Sequence, residues 1–175
     1  MVVDVKELLL AGDFAGMGEE ILSMKLKAVE SLVRSYTNNN FQNRAMRIRA
    51  PSRNGILEGS CPYFREGDTV QISQSSVNDG LYVITGLQGN EIRLDGILYD
   101  CPQNTVTKVE YPADVRKGVV DLMLWEKENR GKVGIKSETL SRHTVTYFDQ
   151  DSANQVMGYP VSLLGFLEPY RKARF

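Results

Sequence analysis

The chain has 175 residues, of which 42% are hydrophobic and 25% are charged, a composition typical of a globular fold and not of a disordered chain. Its formal net charge is -1, so the chain as a whole does not attract nucleic acid, and a DNA contact would need a local basic patch. Apolar runs such as Val161–Leu167 are much shorter than a membrane span, and Met1–Asp4 lacks the basic start of a signal peptide. We therefore expect a protein that is soluble, has no membrane contact and is made in a cytoplasm.

Two helices are predicted in the N-terminal part of the chain. A short helix runs from Asp4 to Leu10, and Gly12 ends it by supplying a left-handed residue. The second helix, at 19-36, has apolar residues at spacings of three and four, with charged residues on the opposite face. The asparagines at 38-40 end this helix, because their side chains compete for backbone hydrogen bonds.

The segment 51-111 loses the helical periodicity and contains short β-forming runs separated by turn residues. The runs are Thr69–Ser73, Leu81–Thr85, Glu91–Leu94 and Thr105–Val109, with a further strand expected at Ile56-Leu57. The turn signals are Asn78-Asp79-Gly80, Gln88-Gly89-Asn90 and Asp95-Gly96. We predict an antiparallel β-module, shaped as a small open barrel or a curled sheet, that can be excised because its two ends lie close together.

Helical periodicity returns at 112-130, where Pro112 is suited to a first turn and Gly131 to a helix end. The alternating residues His143–Phe148 predict a strand or an extended arm. A last helix is predicted to begin at Pro160 and to continue to Tyr170. The three longer helices should share a core, for which we predict these buried residues: Leu26, Val29, Leu32, Val119, Leu122, Leu163 and Leu167.

No arrangement of residues predicts an enzyme, a cofactor or a metal site. Cys61 and Cys101 are expected to be small buried residues and not a disulfide. His143 is the only histidine, which leaves too few ligands for zinc, and no nucleophile motif accompanies it. Glu126 and Glu128 are interpreted as part of a solvated helical face and not as an acid–base pair.

The strongest local charge bias lies between Phe41 and Leu57, a segment that contains Arg44, Arg47, Arg49 and Arg53 and no acidic residue. These arginines could face phosphates in a DNA channel. A ring of identical subunits would repeat the small basic patch once in each copy and so increase the total positive charge facing the DNA. The alternative, which we favour, is a solvated edge or a subunit interface.

The C-terminal residues Tyr170, Arg171, Lys172, Arg174 and Phe175 combine aromatic and basic side chains. Such residues often anchor a protein on a partner, so we predict an arm that becomes ordered when it docks. The alternative is a tail that caps its own helix, where cations interact favourably with the helix dipole.

Two segments resemble the head-tail connector, or adaptor, proteins of long-tailed bacteriophages and prophages. The first is Leu26–Phe41, a helix that runs into a polar Thr/Asn turn and a phenylalanine. The second comprises Val133–Tyr147, the Tyr159-Pro160 start of the final helix and the ending Tyr170–Phe175. Together with the helix at 112-130 they cover roughly two thirds of the chain. The β-module has no counterpart in the minimal members of this family.

The resemblance implies an α+β fold in which a small helical connector core, at 1-50 and 112-175, carries the inserted antiparallel β-module at 51-111. It implies a structural virion subunit in a ring of twelve copies at the neck, assembled in the bacterial host cytoplasm. Its partners would be the portal protein, the next neck or tail-completion protein and, non-specifically, the packaged DNA. The alternatives are a stopper or tail terminator, or an OB-like nucleic-acid-binding module, against which the acidic residues of the β-module argue.

Overall fold

A computed structural model describes residues 1–12, 14, 16–129, 137–140, 143–146 and 155–173, the stretches 137–140 and 143–146 by their backbone alone. The chain divides into two compact units. One unit contains Met1 and Asn40–Tyr111, and the other contains Val2–Asn39 and Pro112–Phe175. We call them the barrel unit and the helical unit. Within the described residues, no helix has both the length and the apolar character needed to cross a bilayer.

The barrel unit is a closed barrel of six antiparallel strands. The strands are β1 (Gln42–Arg53), β2 (Ile56–Glu58), β3 (Thr69–Ser73), β4 (Gly80–Gln88), β5 (Glu91–Leu94) and β6 (Cys101–Val109). They follow the order β1-β2-β5-β4-β3-β6, and β6 pairs with β1 to close the barrel. Closure pairs the first and last strands of the barrel sheet with each other, which removes the open edges at which a sheet can pair with another chain.

The barrel core takes side chains from all six strands, and along β1 they alternate with exposed ones. In β1, Ile48 and Ala50 pack inward, and they pair with Val106 and Asn104 of β6. Phe64 and Leu98, from two loops, complete the interior. The buried apolar residues of this core are Ala50, Leu57, Phe64, Val70, Ile72, Ile84, Ile92, Leu98 and Val106.

The helical unit contains α1 (Val5–Ala11), α2 (Glu19–Thr37), α3 (Ala113–Asn129) and a 3-10 helix (Val161–Tyr170). Helix α2 ends at Asn38, which adopts a left-handed conformation with φ 47° and donates its N–H to the carbonyls of Arg34 and Ser35. Helices α2 and α3 confirm the helices predicted at 19-36 and 112-130. The helical unit also contains two short hairpins. They are formed by β7 (Ser137–Leu140) with β8 (His143–Thr146), and by β9 (Gln155–Val156) with β10 (Tyr159–Pro160).

The predicted helical core is confirmed for Leu26, Val29, Leu32, Val119, Leu122 and Leu167, which are all buried. The exception is Leu163, which is half-buried, while Leu164 is buried in its place. The reason is the kind of helix: a 3-10 helix has three residues per turn, so Leu164, Leu167 and Tyr170 lie on one face. The α-helical periodicity used for the prediction does not apply there.

The predicted fold class, a small helical connector core with an inserted β-module, is wrong. The β-structure is a closed six-stranded barrel that forms a compact unit of its own, and it begins at Gln42. The predicted junction between residues 50 and 51 therefore falls inside β1. The error arose because the arginine-rich segment before residue 51 was read as a charge run, although its alternate residues Met46, Ile48 and Ala50 pack inward.

The interpretation of Glu126 as a solvated residue is also wrong. Its side chain is buried, the Lys25 ammonium lies 2.5 Å from its Oε1 atom, and the Tyr159 hydroxyl donates a hydrogen bond to its Oε2 atom. A buried carboxylate needs such partners, because removing it from water is costly. Glu126 therefore joins α2, α3 and the β9–β10 hairpin.

Candidate functional site

The outer face of β1 carries exposed arginines. Because neighbouring residues of a strand point to opposite faces, Arg47 and Arg49 face outward while Ile48 between them packs inward. The Arg47 Nε atom donates to Thr107 Oγ1 on β6 at 2.8 Å. Arg44 lies in the irregular part of β1 between Gln42 and Arg47 and is exposed as well. We call Arg44, Arg47 and Arg49 the arginine surface.

The charge of the arginine surface is not neutralised locally. In the part of the chain that the structure describes, no carboxylate forms an ion pair with Arg44, Arg47 or Arg49. Arg53, the fourth predicted basic residue, is separate: it lies six residues beyond Arg47, about 20 Å along the strand. Its Nε atom is 3.9 Å from Glu58 Oε2. The structure thus brings Arg47 and Arg49 onto one strand face, with exposed Arg44 in the irregular part of the same strand, and leaves Arg53 at the strand's end.

The end of the barrel where β1 terminates is organised by one buried asparagine. Asn78, only 1% exposed, donates its side-chain amide to Ser52 Oγ at 3.1 Å, to the Tyr99 carbonyl at 2.9 Å and to Asn104 Oδ1 at 3.1 Å. Its Oδ1 atom accepts the Tyr99 N–H at 2.8 Å. The β3–β4 loop is thereby tied to the β5–β6 loop and to β1.

Apolar side chains project from these two loops. Leu98 is buried in the barrel, while its neighbours Ile97 and Tyr99 are 80% and 62% exposed, and Val77, next to Asn78, is 54% exposed. The β5–β6 loop packs closely against Tyr82, since a Cβ atom on Gly96 would lie 2.7 Å from the Tyr82 ring. We call Val77, Ile97 and Tyr99 the apolar tip. Exposed apolar groups that are clustered and held rigidly are typical of binding surfaces.

Three exposed aspartates lie within two residues of an apolar-tip residue in the sequence. Asp79, Asp95 and Asp100 accept the backbone N–H groups of Ser75, Val83 and Asn54, each at 2.8 Å. Burial raises the pKa of the Tyr82 hydroxyl, and the negative charges of Asp95 and Asp79 raise it further, so both carboxylates lie near this ring. We call these three aspartates the acidic rim.

The predicted C-terminal arm contacts its own unit. The Tyr170 hydroxyl donates to the Asp114 carboxylate, with both oxygens at 2.8 Å. The Lys172 N–H donates to the Thr37 carbonyl at 2.8 Å, and the Asn38 amide donates to the Ala173 carbonyl at 2.9 Å. The chain up to Ala173 therefore contacts α2 and α3 of its own unit, while docking of the arm on a partner stays a prediction. Arg174 and Phe175 lie outside the described residues.

Arg171 contacts both the 3-10 helix, through an ion pair, and α2, through an aromatic ring. Its NH1 atom lies 3.1 Å from Glu168 Oε2, and its guanidinium lies 5.3 Å from the centre of the Tyr36 ring. The Tyr36 hydroxyl donates to Glu168 Oε1 at 2.6 Å. This hydrogen bond lowers the pKa of Glu168, with a further contribution from Arg171, and it raises the pKa of Tyr36.

Of the cysteines and the histidine considered for chemistry, the structure describes the side chains of the two cysteines only. Cys61 and Cys101 are free thiols, and a hydrogen bond from Ser75 lowers the pKa of Cys101. His143 belongs to β8, but its side chain lies outside the described residues. Within the described stretches there is no group of three or more His, Cys, Asp or Glu residues that could hold a metal ion.

The apolar tip was not predicted from the sequence. Asn78 was read as a turn residue only, although its side chain is the centre of the network. The available signal was the triplet Ile97-Leu98-Tyr99, in which one apolar residue can enter the core while both neighbours face outward.

Comparison of the sequence with models of known protein families gives no match. A search of curated proteins likewise finds no significant relative.

Proposed function

We propose that the chain is a non-enzymatic structural subunit of a tailed-bacteriophage neck that works in a ring of identical copies between head and tail. In this proposal the ring has twelve copies, extends the DNA channel below the portal protein and receives the next neck or tail-completion protein. The resemblance of Leu26–Phe41 to head-tail connectors suggests this role.

The observation that carries the proposal is the arginine surface. Arg47 and Arg49 are two residues apart on one strand face, so their like charges repel each other. The described part of the chain supplies them with no carboxylate partner. An external partner that is acidic, either protein or phosphate, would offset this repulsion. A neck ring offers both kinds of partner, since each subunit adjoins another copy and the ring surrounds DNA.

A nucleic-acid-binding module is the second candidate, because a closed barrel with a basic face is compatible with it. Two features argue against it. An OB-fold has five strands, whereas this barrel has six. Proteins that bind single strands stack bases on aromatic rings beside the basic groove, but Arg47 and Arg49 pair with Thr107 and Thr105 of β6.

The neck role can be tested by deleting the gene in its host and inducing particle formation. We expect DNA-filled heads without tails, and complementation by the intact gene should restore tailed particles that contain the protein by mass spectrometry. Infectious, tailed particles from the deletion strain would contradict the proposal.

The nucleic-acid alternative is tested with the purified protein and labelled single- and double-stranded DNA at several salt concentrations. The neck proposal predicts weak binding that falls steeply with salt and lacks sequence preference. Tight binding to single strands with little salt dependence would favour the second candidate instead.

A further inference from the structure

We propose that the acidic, apolar end of one barrel docks on the arginine surface of a second copy, a head-to-tail contact between two different surfaces of the same unit. The contact deepens the proposed function, since a repeated head-to-tail contact with a fixed rotation closes a ring. It is argued from the barrel alone, so it does not depend on how the two units are arranged.

The first argument is charge complementarity. The acidic rim presents Asp79, Asp95 and Asp100, whose carboxylates accept hydrogen bonds from the backbone N–H groups of Ser75, Val83 and Asn54. Considering the described residues only, no lysine or arginine forms an ion pair with these aspartates. The arginine surface likewise lacks a carboxylate partner. Three negative and three positive groups are thus left for an external contact, and opposite charges across an interface also orient the encounter.

The second argument is preorganisation. The backbone of Tyr99 is held by Asn78 through its N–H and its carbonyl, at 2.8 and 2.9 Å, and Leu98 anchors the same loop in the core. Docking therefore requires little ordering of the loop, which is a cost that weakens many interfaces. Tyrosine is also among the residues that contribute most to protein–protein binding.

The third argument concerns the choice of occupant. DNA could neutralise the arginine surface, but it would leave the apolar tip in water and would be repelled by the acidic rim. A second copy covers the apolar tip and neutralises both charged surfaces at once. The two surfaces do not overlap: Arg49 lies three residues before Ser52 of the loop network, about 10 Å along the strand. Each copy can therefore use both surfaces at the same time.

The test compares two tyrosines of the full-length protein by sedimentation velocity over a range of concentrations. Tyr99→Ala removes a tip side chain and keeps its backbone bonds, whereas Tyr63→Ala is the matched control, because Tyr63 is 56% exposed in a different loop. We expect Tyr99→Ala to weaken self-association by about tenfold or more, and Tyr63→Ala to change it little. Equal behaviour of the two variants, or a wild-type protein that stays monomeric throughout, would overturn the proposal.

A mixing experiment tests whether the contact is head-to-tail. The double variant Arg47→Glu/Arg49→Glu keeps its apolar tip, and Tyr99→Ala keeps its arginine surface. At a concentration where each variant alone is monomeric, a mixture should form a one-to-one heterodimer and nothing larger, since the pair retains one intact contact. A mixture without heterodimer, from variants with wild-type circular dichroism and melting temperature, refutes the contact.

Two further outcomes are decisive. If Arg47→Glu/Arg49→Glu self-associates like the wild type and loses only DNA binding, the arginines contact nucleic acid and the proposal fails. If the tip variant assembles normally while deletion of the gene still yields tailless heads, the docking contact is wrong and the neck role stands.

Discussion

Asn78 provides the sharpest test of the barrel's architecture. Asn78→Ala removes four side-chain hydrogen bonds of 2.8 to 3.1 Å at a position that is almost fully buried. The Tyr99 carbonyl still accepts a hydrogen bond from Ser52 Oγ at 2.7 Å in this variant. The groups that lose their hydrogen-bond partner are therefore the Tyr99 N–H and Asn104 Oδ1. Each polar group left without a partner costs about 1 to 3 kcal/mol, so we expect a loss of about 3 kcal/mol in the free energy of unfolding.

The assay is urea unfolding followed by far-ultraviolet circular dichroism, together with hydrogen exchange of the Tyr99 amide by NMR. Asn90→Ala is the matched control, because Asn90 is an exposed turn residue of the same barrel whose backbone carbonyl, and not its side chain, accepts the Gly59 N–H. The control should stay within about 0.5 kcal/mol of the wild type. If the two variants have the same unfolding midpoint and Tyr99 stays protected, the network does not hold the loops.

Three further predictions concern the helical unit. Leu32→Ala should lower the free energy of unfolding by about 2 to 5 kcal/mol, because Leu32 is fully buried, and an unchanged midpoint would show otherwise. Deleting 171–175 should cost about 1 to 2 kcal/mol in calorimetry, since the bonds to Thr37 and Asn38 are lost, and an unaltered melting temperature would restore the free-arm interpretation. The lowered pKa of Glu168 means that its ionised form contributes stability above its usual value of 4.5, which is lost as the pH falls through the lowered value. The stability difference between wild type and Glu168→Gln should therefore shrink in acid, and a constant difference would contradict the assignment.

Elements stabilised by neighbours in the sequence were predicted well. Helix α2 was expected at 19-36 and is found at Glu19–Thr37, because its apolar period and its polar end are both local signals. The turn at Gln88-Gly89-Asn90 was also expected, and Gly89 has a φ of 57° there, which suits glycine. The last helix was expected to run from Pro160 to Tyr170 and is found at Val161–Tyr170, but as a 3-10 helix, in which Pro169 lacks the N–H that an α-helical bond needs.

Strand β1 was missed because its partners are distant in the sequence. Ile48 pairs with Val106 and Arg49 with Thr105, and these partners follow more than fifty residues later. The arginines between the inward residues made the segment look like a charge run. The alternation of inward and outward residues is a weak sign of a strand when the outward residues are mostly arginines. The strand can be recognised only from its pairing with β6.

Helices α2 and α3, the turns of the β-segment and most of the helical core could be predicted, because they depend on local periodicity and turn chemistry. The closure of the barrel and the surfaces that it creates depend on contacts between distant segments. Asn78 resembles any turn asparagine until Ser52, Asn104 and Tyr99 surround it, and these residues come from segments far apart in the chain. Non-local contacts of this kind depend on the strand register and on which side chains are buried together, which no short window of sequence contains.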